Sequence, residues 1–339
     1  MNRLWNSFPL IIGITLTTWA GTATMTTYLL QQGLRPGEVV VFDILCASIT
    51  LAAITLSRPQ SRQALRQYRL RHVPAIVASG MLGVVLYNAL LSEAYGSNTS
   101  DVIPYVVINY MWPLMTILFG VVVLRERTDV YTWVGGACGL LGFVLIQVAQ
   151  GLQSPRVTAA WDSGPPGLVL REFFGAMVGD ATVAGCLLAF GAAVSWGLFS
   201  TLGRKWSNEH RFEPLSSMFL FVLVGLVGSA LWYWNDLRPA VVFSRWSCVA
   251  VIVAIGCVNN GVNNVLWLRA IELGGAGRTG VVSYLTPVLA LTYMAVFHRQ
   301  YPSWSSLVGL ALIIGAIAVV ETHRKRRRNG APKPLGHPT

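Results

Sequence analysis

The sequence predicts an all-α integral membrane protein whose ten transmembrane helices form two inverted five-helix repeats. Three observations predict it. The 339 residues are 54% apolar and only 12% charged, about half the charge of an ordinary soluble domain. The charges spare a series of apolar stretches of roughly 20 residues, long enough at about 1.5 Å per residue to cross a bilayer core. The phrase NYMWP at 109–113 returns as SYLTP at 283–287, and Arg125, Thr132 and Gly135 are answered by Arg299, Ser306 and Gly309 at one constant spacing. A repeat of this length in a membrane-like chain points to homologous halves.

The segments are 8–31, 37–56, 73–92, 102–123 and 131–149, then 181–203, 214–234, 246–268, 278–297 and 304–321. The first follows Arg3 and imitates a signal peptide, but no small-x-small cleavage site precedes the next loop, so it is expected to remain as a helix. A Gly-Leu-Arg-Pro-Gly turn at 33–37 separates it from the second. Five arginines within 57–72 part the second from the third, and Asp101 is placed to cap the fourth. The fifth carries Gly135, Gly139 and Gly142, a small-residue face suited to scaffold packing or to a dimer surface. Between the fifth and sixth, 150–180 contains Ser-Pro and Gly-Pro-Pro-Gly and reads as an extracytoplasmic linker. The expected organisation is therefore a first repeat at 1–149, the linker 150–180, a second repeat at 181–321 and a basic cytoplasmic tail at 322–339.

Charge sets the orientation. With ten spans, 19 of the 25 Lys and Arg residues fall on the side of both termini and 6 on the other: Arg35, Arg156, Arg171, Arg238, Arg245 and Arg299. The positive-inside rule then puts both termini in the cytoplasm of a bacterial inner membrane. The net charge of +11 is explained by this topology, so no nucleic-acid partner is expected. Five helices is an odd number, so the second half enters the membrane in the opposite sense. Such an inverted repeat supplies outward-open and inward-open forms from one chain.

Pro113 and Pro287 lie inside the repeated helices, where each bends the helix and frees the carbonyl four residues earlier, at Asn109 and Ser283. Tyr110 and Tyr284 occupy equivalent places. The third and eighth segments correspond through Asn88 and Asn264, and the eighth also carries Asn259, Asn260 and Asn263. An unpaired amide is expensive in hydrocarbon, so these residues face protein or a watery cavity; 260, 263 and 264 share a helical face by spacing. Trp19 and Trp196 are near-equivalent aromatics away from the membrane interfaces, suited to packing or to lining a cavity. Tyr87 accompanies Asn88. Asp43, several residues into the second segment, is a candidate proton or gate site, or a group in a hydrated vestibule.

The phrases VVINYMWPLMTILF (106–119) and GVVSYLTPVLALTY (280–293), with GAAVSWGLFSTLGRKW (191–206), resemble the drug/metabolite transporters of the ten-helix EamA type. The first phrase is similar to bacterial aromatic amino acid exporters of the YddG kind. The resemblance covers nearly all of 8–321. It implies a central cavity between the halves, and on this sequence it implicates Trp19, Tyr87, Asn88, Asn109, Tyr110, Trp196, Asn263, Asn264 and Tyr284. Three features depart from the pattern: Asp43, the long linker 150–180 and the number of asparagines in the eighth helix.

The expected function is export of amino acids, aromatic or otherwise hydrophobic, by alternating access. The alternative is transport of drugs or other small metabolites, with a structural or receptor protein behind both. An enzyme is not expected. The five histidines are scattered, the five cysteines form no CxxC, and no metal site is spelled out. No GxxxxGK[ST] loop occurs, so no ATP and no cofactor are expected. The expected partners are a small-molecule solute and membrane lipids, and the protein is expected as monomer or homodimer.

Overall fold

The computed structural model describes residues 7–125, 130–153, 155–179, 181–210, 212–267, 269–270, 273 and 285–330. These residues form an all-α, multi-pass membrane fold. The long helices are α1 (Phe8–Gln31), α2 (Pro36–Ser57), α3 (Leu70–Ser97), α4 (Ile103–Leu124), α5 (Val130–Leu152), α6 (Ala181–His210), α7 (Pro214–Trp232), α8 (Trp246–Trp267), α9 (Leu285–His298) and α10 (Trp304–Gly330). Among the described residues, seven helices are long and apolar enough to cross a membrane; α5, α9 and α10 carry shorter apolar stretches. Proline opens α1, α2, α4 and α7 within the first two positions, where its missing N–H would have gone unpaired in any case.

Several boundaries differ from the sequence reading. Helix α6 continues past 203 to His210 and α10 past 321 to Gly330. Arginine and lysine are good helix formers and are favoured near a helix C-terminus, so the helix continues through the basic run 324–328. Within 150–180, Pro155–Ser163 and Pro166–Gly179 are helices, each opened by a proline. The two short helices pack on each other, and the second reaches α5 and α6.

Two backbone features occur twice along the chain. Among the described residues, Arg125 (φ 52°) and Arg299 (φ 55°) are the non-glycine residues with positive φ, and they are partners in the sequence repeat. A π-helical segment interrupts α3 at Met81–Leu86 and α8 at Ala254–Val262. In the register that pairs Asn88 with Asn264, these two distortions overlap.

A π-turn moves backbone bonding from the fourth to the fifth residue along and leaves a carbonyl without its usual partner. The paired asparagines each donate to a carbonyl within these segments. Asn88 Nδ2 donates to Val84 O at 2.8 Å, and Asn264 Nδ2 donates to Asn260 O at 2.6 Å. Replacing either amide by alanine is expected to lower stability by about 1–2 kcal/mol. The check is the unfolding temperature of the detergent-solubilised protein; no change in either variant would rule out the brace.

Packing follows the same pattern. Helix α1 lies against α8 and α9 as α6 lies against α3 and α4; α2 packs on α8 as α7 packs on α3; α5 meets α10. The α5–α10 contact runs over Gly142 and Gly309, where a Cβ at 309 would press on Ile146 at 2.5 Å. The first half of α4 is central, with Ile103, Tyr105, Val106, Val107 and Ile108 all buried. Large apolar side chains such as Ile49, Val227 and Leu231 remain on the outside, as expected where the surrounding solvent is lipid.

The loops gather at two ends. At one end Arg35 meets Asp236, Arg245 Nη1 donates to Gln32 O, and Gln300 ties Val102 and Thr99. At the other, Ser61 donates to Glu213, Tyr68 meets Ser216, and His72 lies on His210.

Candidate solute-binding site

Helices α3, α4 and α6 bring aromatic rings and an amide together inside the bundle. The Tyr87 and Trp196 rings are 4.7 Å apart, and Trp196 also meets Trp112 at 6.3 Å and Phe199 at 5.2 Å. Asn109 Nδ2 donates to the Tyr87 hydroxyl at 3.3 Å. The side-chain carbonyl Oδ1 of Asn109 is buried with no hydrogen-bond partner among the described residues.

The local backbone explains this placement. Helix α4 is interrupted between Asn109 and Trp112, where Tyr110 N–H and Met111 N–H turn to carbonyls three residues back, at 3.1 and 3.0 Å. Pro113 supplies no N–H to Asn109, so the chain tightens there. Tyr110 and Trp112 pack against the same core cluster.

Helices α1 and α8 also bring two aromatic rings together. Trp19 and Trp267 lie 5.0 Å apart. Here the amides join helices. Asn259 Nδ2 donates to Thr22 Oγ1 at 3.0 Å, and Asn263 Nδ2 donates to Thr15 O at 3.1 Å. Asn260 Nδ2 donates to Asp43 Oδ2 at 3.3 Å on α2. Asn263 Oδ1 and Asp43 Oδ1 are both buried with no hydrogen-bond partner among the described residues. A buried polar atom left this way costs about 1–3 kcal/mol, which a polar solute or water would recover.

At the loop end of α2, the Glu38 carboxylate is fully buried. It accepts from Arg35 N–H at 2.7 Å and from Arg238 N–H, Nε and Nη2 at 3.0, 2.8 and 2.9 Å. Glu38 in turn raises the pKa of the Arg238 guanidinium above its ordinary value, chiefly through these hydrogen bonds. Tyr233 donates to Glu93 Oε1 at 3.1 Å, and burial together with that carboxylate pushes the pKa of the phenol well up. Asp101 lies apart from the central group. Its Oδ1 accepts from Ile103 N–H at 3.3 Å at the start of α4, and burial raises its pKa. At the opposite end of the bundle, a separate cleft of about 470 Å³ is lined by Arg66, Tyr68, Arg69, Arg71, His72 and Phe212 among others.

The structure thus brings Tyr87, Asn109 and Trp196 into one group, places Tyr110 in the adjoining core, and joins Asn263 and Trp19 to the α1–α8 contact. It turns Asn88 and Asn264 onto their own helices. Tyr284 and Ser283 lie outside the described residues, and Pro287 stands in the first described turn of α9. Sequence reasoning missed Thr15, Thr22, Trp267, Glu38 and Arg238. The two threonines stand seven apart, a spacing that puts them on one helical face, and Arg35-x-x-Glu38 has the spacing of a capping box.

The family model of the EamA-like transporter family matches residues 8–148 and again 183–322. The aromatic amino acid exporter YddG of Escherichia coli (strain K12) is 26% identical over 294 residues, covering 84% of this chain and 87% of that protein. YddG of Ancylobacter novellus is 27% identical, covering 64% and 66%. A probable terminal-alkyne amino-acid exporter of Streptantibioticus cattleyicolor is 22% identical over 95% of both chains. A solved crystal structure with 24% identity superposes with a TM-score of 0.62 over 94% of this chain and 99% of that one, which speaks to the fold. The chain belongs to the EamA-like transporter family, whose members move small molecules and are not enzymes.

Proposed function

We propose that this protein exports aromatic or other hydrophobic amino acids across the bacterial inner membrane by alternating access. In this reading ten helices form two inverted five-helix repeats, 1–149 and 181–321, joined by 150–180, with both termini in the cytoplasm. The matched φ values of Arg125 and Arg299, the two π-segments and the equivalent packing of α1 and α6 support the two-fold arrangement. The loops that gather with Arg35, Arg238 and Arg245 are the arginine-poor ones expected outside.

The observation that carries the solute class is the pairing of the Tyr87–Trp196 rings with the unpartnered Asn109 Oδ1. Rings hold an apolar side chain, and a bare amide carbonyl accepts from an ammonium group. The names of the similar exporters point the same way.

The test is solute flux in sealed vesicles containing the purified protein. Phenylalanine and tryptophan are compared with branched and small amino acids and with lipophilic cations. Protein-dependent flux of the aromatic amino acids above the others is expected. Flux of lipophilic cations alone would favour the multidrug alternative, and no flux across the whole panel would overturn the transport reading.

A further inference from the structure

We propose that Asp43 is a proton-binding site through which solute export is driven by the transmembrane proton gradient; this rests on the exporter reading above. Asp43 is the eighth residue of α2, about 10 Å along the helix from its start at 1.5 Å per residue. The side chain is 5% exposed, Oδ2 accepts a bond from Asn260 Nδ2 at 3.3 Å, and Oδ1 has no hydrogen-bond partner among the described residues. A carboxylate within a membrane is ordinarily held by a cation or by several donors.

Among the described residues the surroundings supply no cation, and beyond Asn260 the carboxylate has the backbone N–H of Ile44. Helices α1, α7 and α8 carry no charged residue within their spans. Among the described residues, the titratable groups beside Asp43 are the thiols of Cys46, on its own helix, and Cys257, on α8; Cys257 Sγ lies 3.9 Å from the Cys46 carbonyl. Toward the loop end, Glu38 is engaged by Arg238, and Glu93 of α3 by Tyr233. The arrangement is one that a neutral acid tolerates and an ionised one does not, so it stands at one stage of a cycle in which Asp43 gains and loses a proton.

The position links that cycle to movement. Asp43 bonds to the π-helical segment of α8, and π-segments are frequent at functional sites. The neighbouring amides of the same helix, Asn259 and Asn263, hold α1. Ionisation of Asp43 demands water or further donors and so shifts α8 against α2, and through those amides against α1. The proton enters from the end of the bundle nearer Asp43, binds one carboxylate oxygen, and leaves to the opposite side as the solute moves outward. No covalent bond of the solute changes.

The experiment uses the full chain in sealed vesicles, with labelled phenylalanine as probe and a pH dye inside. The native protein is expected to accumulate phenylalanine against its gradient when a pH difference is imposed, about tenfold per pH unit for one proton per neutral solute. Adding phenylalanine is expected to start proton movement in the opposite direction. Asp43→Asn is expected to bring the accumulation ratio to one while labelled-for-unlabelled exchange stays measurable. Gradient-driven accumulation retained by Asp43→Asn would overturn the proposal. So would downhill phenylalanine flux by the native protein with neither a pH effect nor proton counterflow, a result that needs no folded variant. Absence of all downhill flux over the amino-acid and cation panel would be different, since the exporter reading itself then fails.

Discussion

Gly256→Val is expected to leave little or no folded protein, and Gly256→Ala to lose about 2–3 kcal/mol of stability. Gly256 lies in the π-segment of α8 where that helix touches α2. A Cβ there would meet the Asp43 carbonyl oxygen and the Cys46 Cβ. A flexible side chain would swing aside, but a backbone oxygen moves only with its helix, so α2 and α8 would have to part. The loss would fall on the contact that holds Asp43 and Asn260 together. Recovery of a single sharp species on size exclusion, followed by its unfolding temperature, reads the effect. Gly13→Ala is the control, since a Cβ at Gly13 meets nothing within 4 Å. Equal behaviour of Gly256→Ala and Gly13→Ala would refute the close α2–α8 contact.

Trp196→Ala is expected to reduce phenylalanine flux by about 10- to 100-fold, which corresponds to roughly 1.4–2.8 kcal/mol of lost interaction. Trp196 is the ring that connects the others, touching Tyr87, Trp112 and Phe199. Its removal takes away a stacking face and loosens Tyr87, which holds Asn109. Trp196→Phe keeps an aromatic face and is expected to recover most of the flux. Vesicles matched for protein content, with folding checked by size exclusion, separate a transport loss from a folding loss. If Trp196→Ala transports within twofold of the native chain, these rings serve packing alone.

The helices were legible because hydropathy and proline report on a single segment at a time. The NYMWP phrase lies where α4 is interrupted, between Asn109 and Trp112. Hidden from the sequence were features that depend on two segments or on a changed helical period. The spacing of 260, 263 and 264 suggests one shared face, but that reasoning assumes an unbroken α-helix. Each extra residue in a turn rotates the later side chains by about 100° relative to an α-helix. In the structure Asn260 reaches α2, whereas Asn259 and Asn263 reach α1. Asn88 and Asn264 were visible as a pair, yet the turn of each back to the carbonyl four residues earlier on its own helix could not be read. The depth of Asp43 could be read from the sequence, while its side-chain amide partner 217 positions away could not.

The Glu38 contact has a consequence for how the molecule responds to temperature. Any motion that separates the start of α2 from the loop after α7 must break the three Arg238 hydrogen bonds and bring water to a carboxylate that is now fully buried. Such a motion carries a large activation enthalpy, so its rate rises steeply on warming. At the opposite end, the contacts are Ser61 donating to Glu213, the Tyr68–Ser216 hydroxyl pair, and rings of Tyr68 and His72 on Phe212 and His210. Opening there uncovers no fully buried carboxylate among the described residues and depends less steeply on temperature. Cooling therefore slows the two ends unequally, and the end tied by Glu38 becomes the slower one.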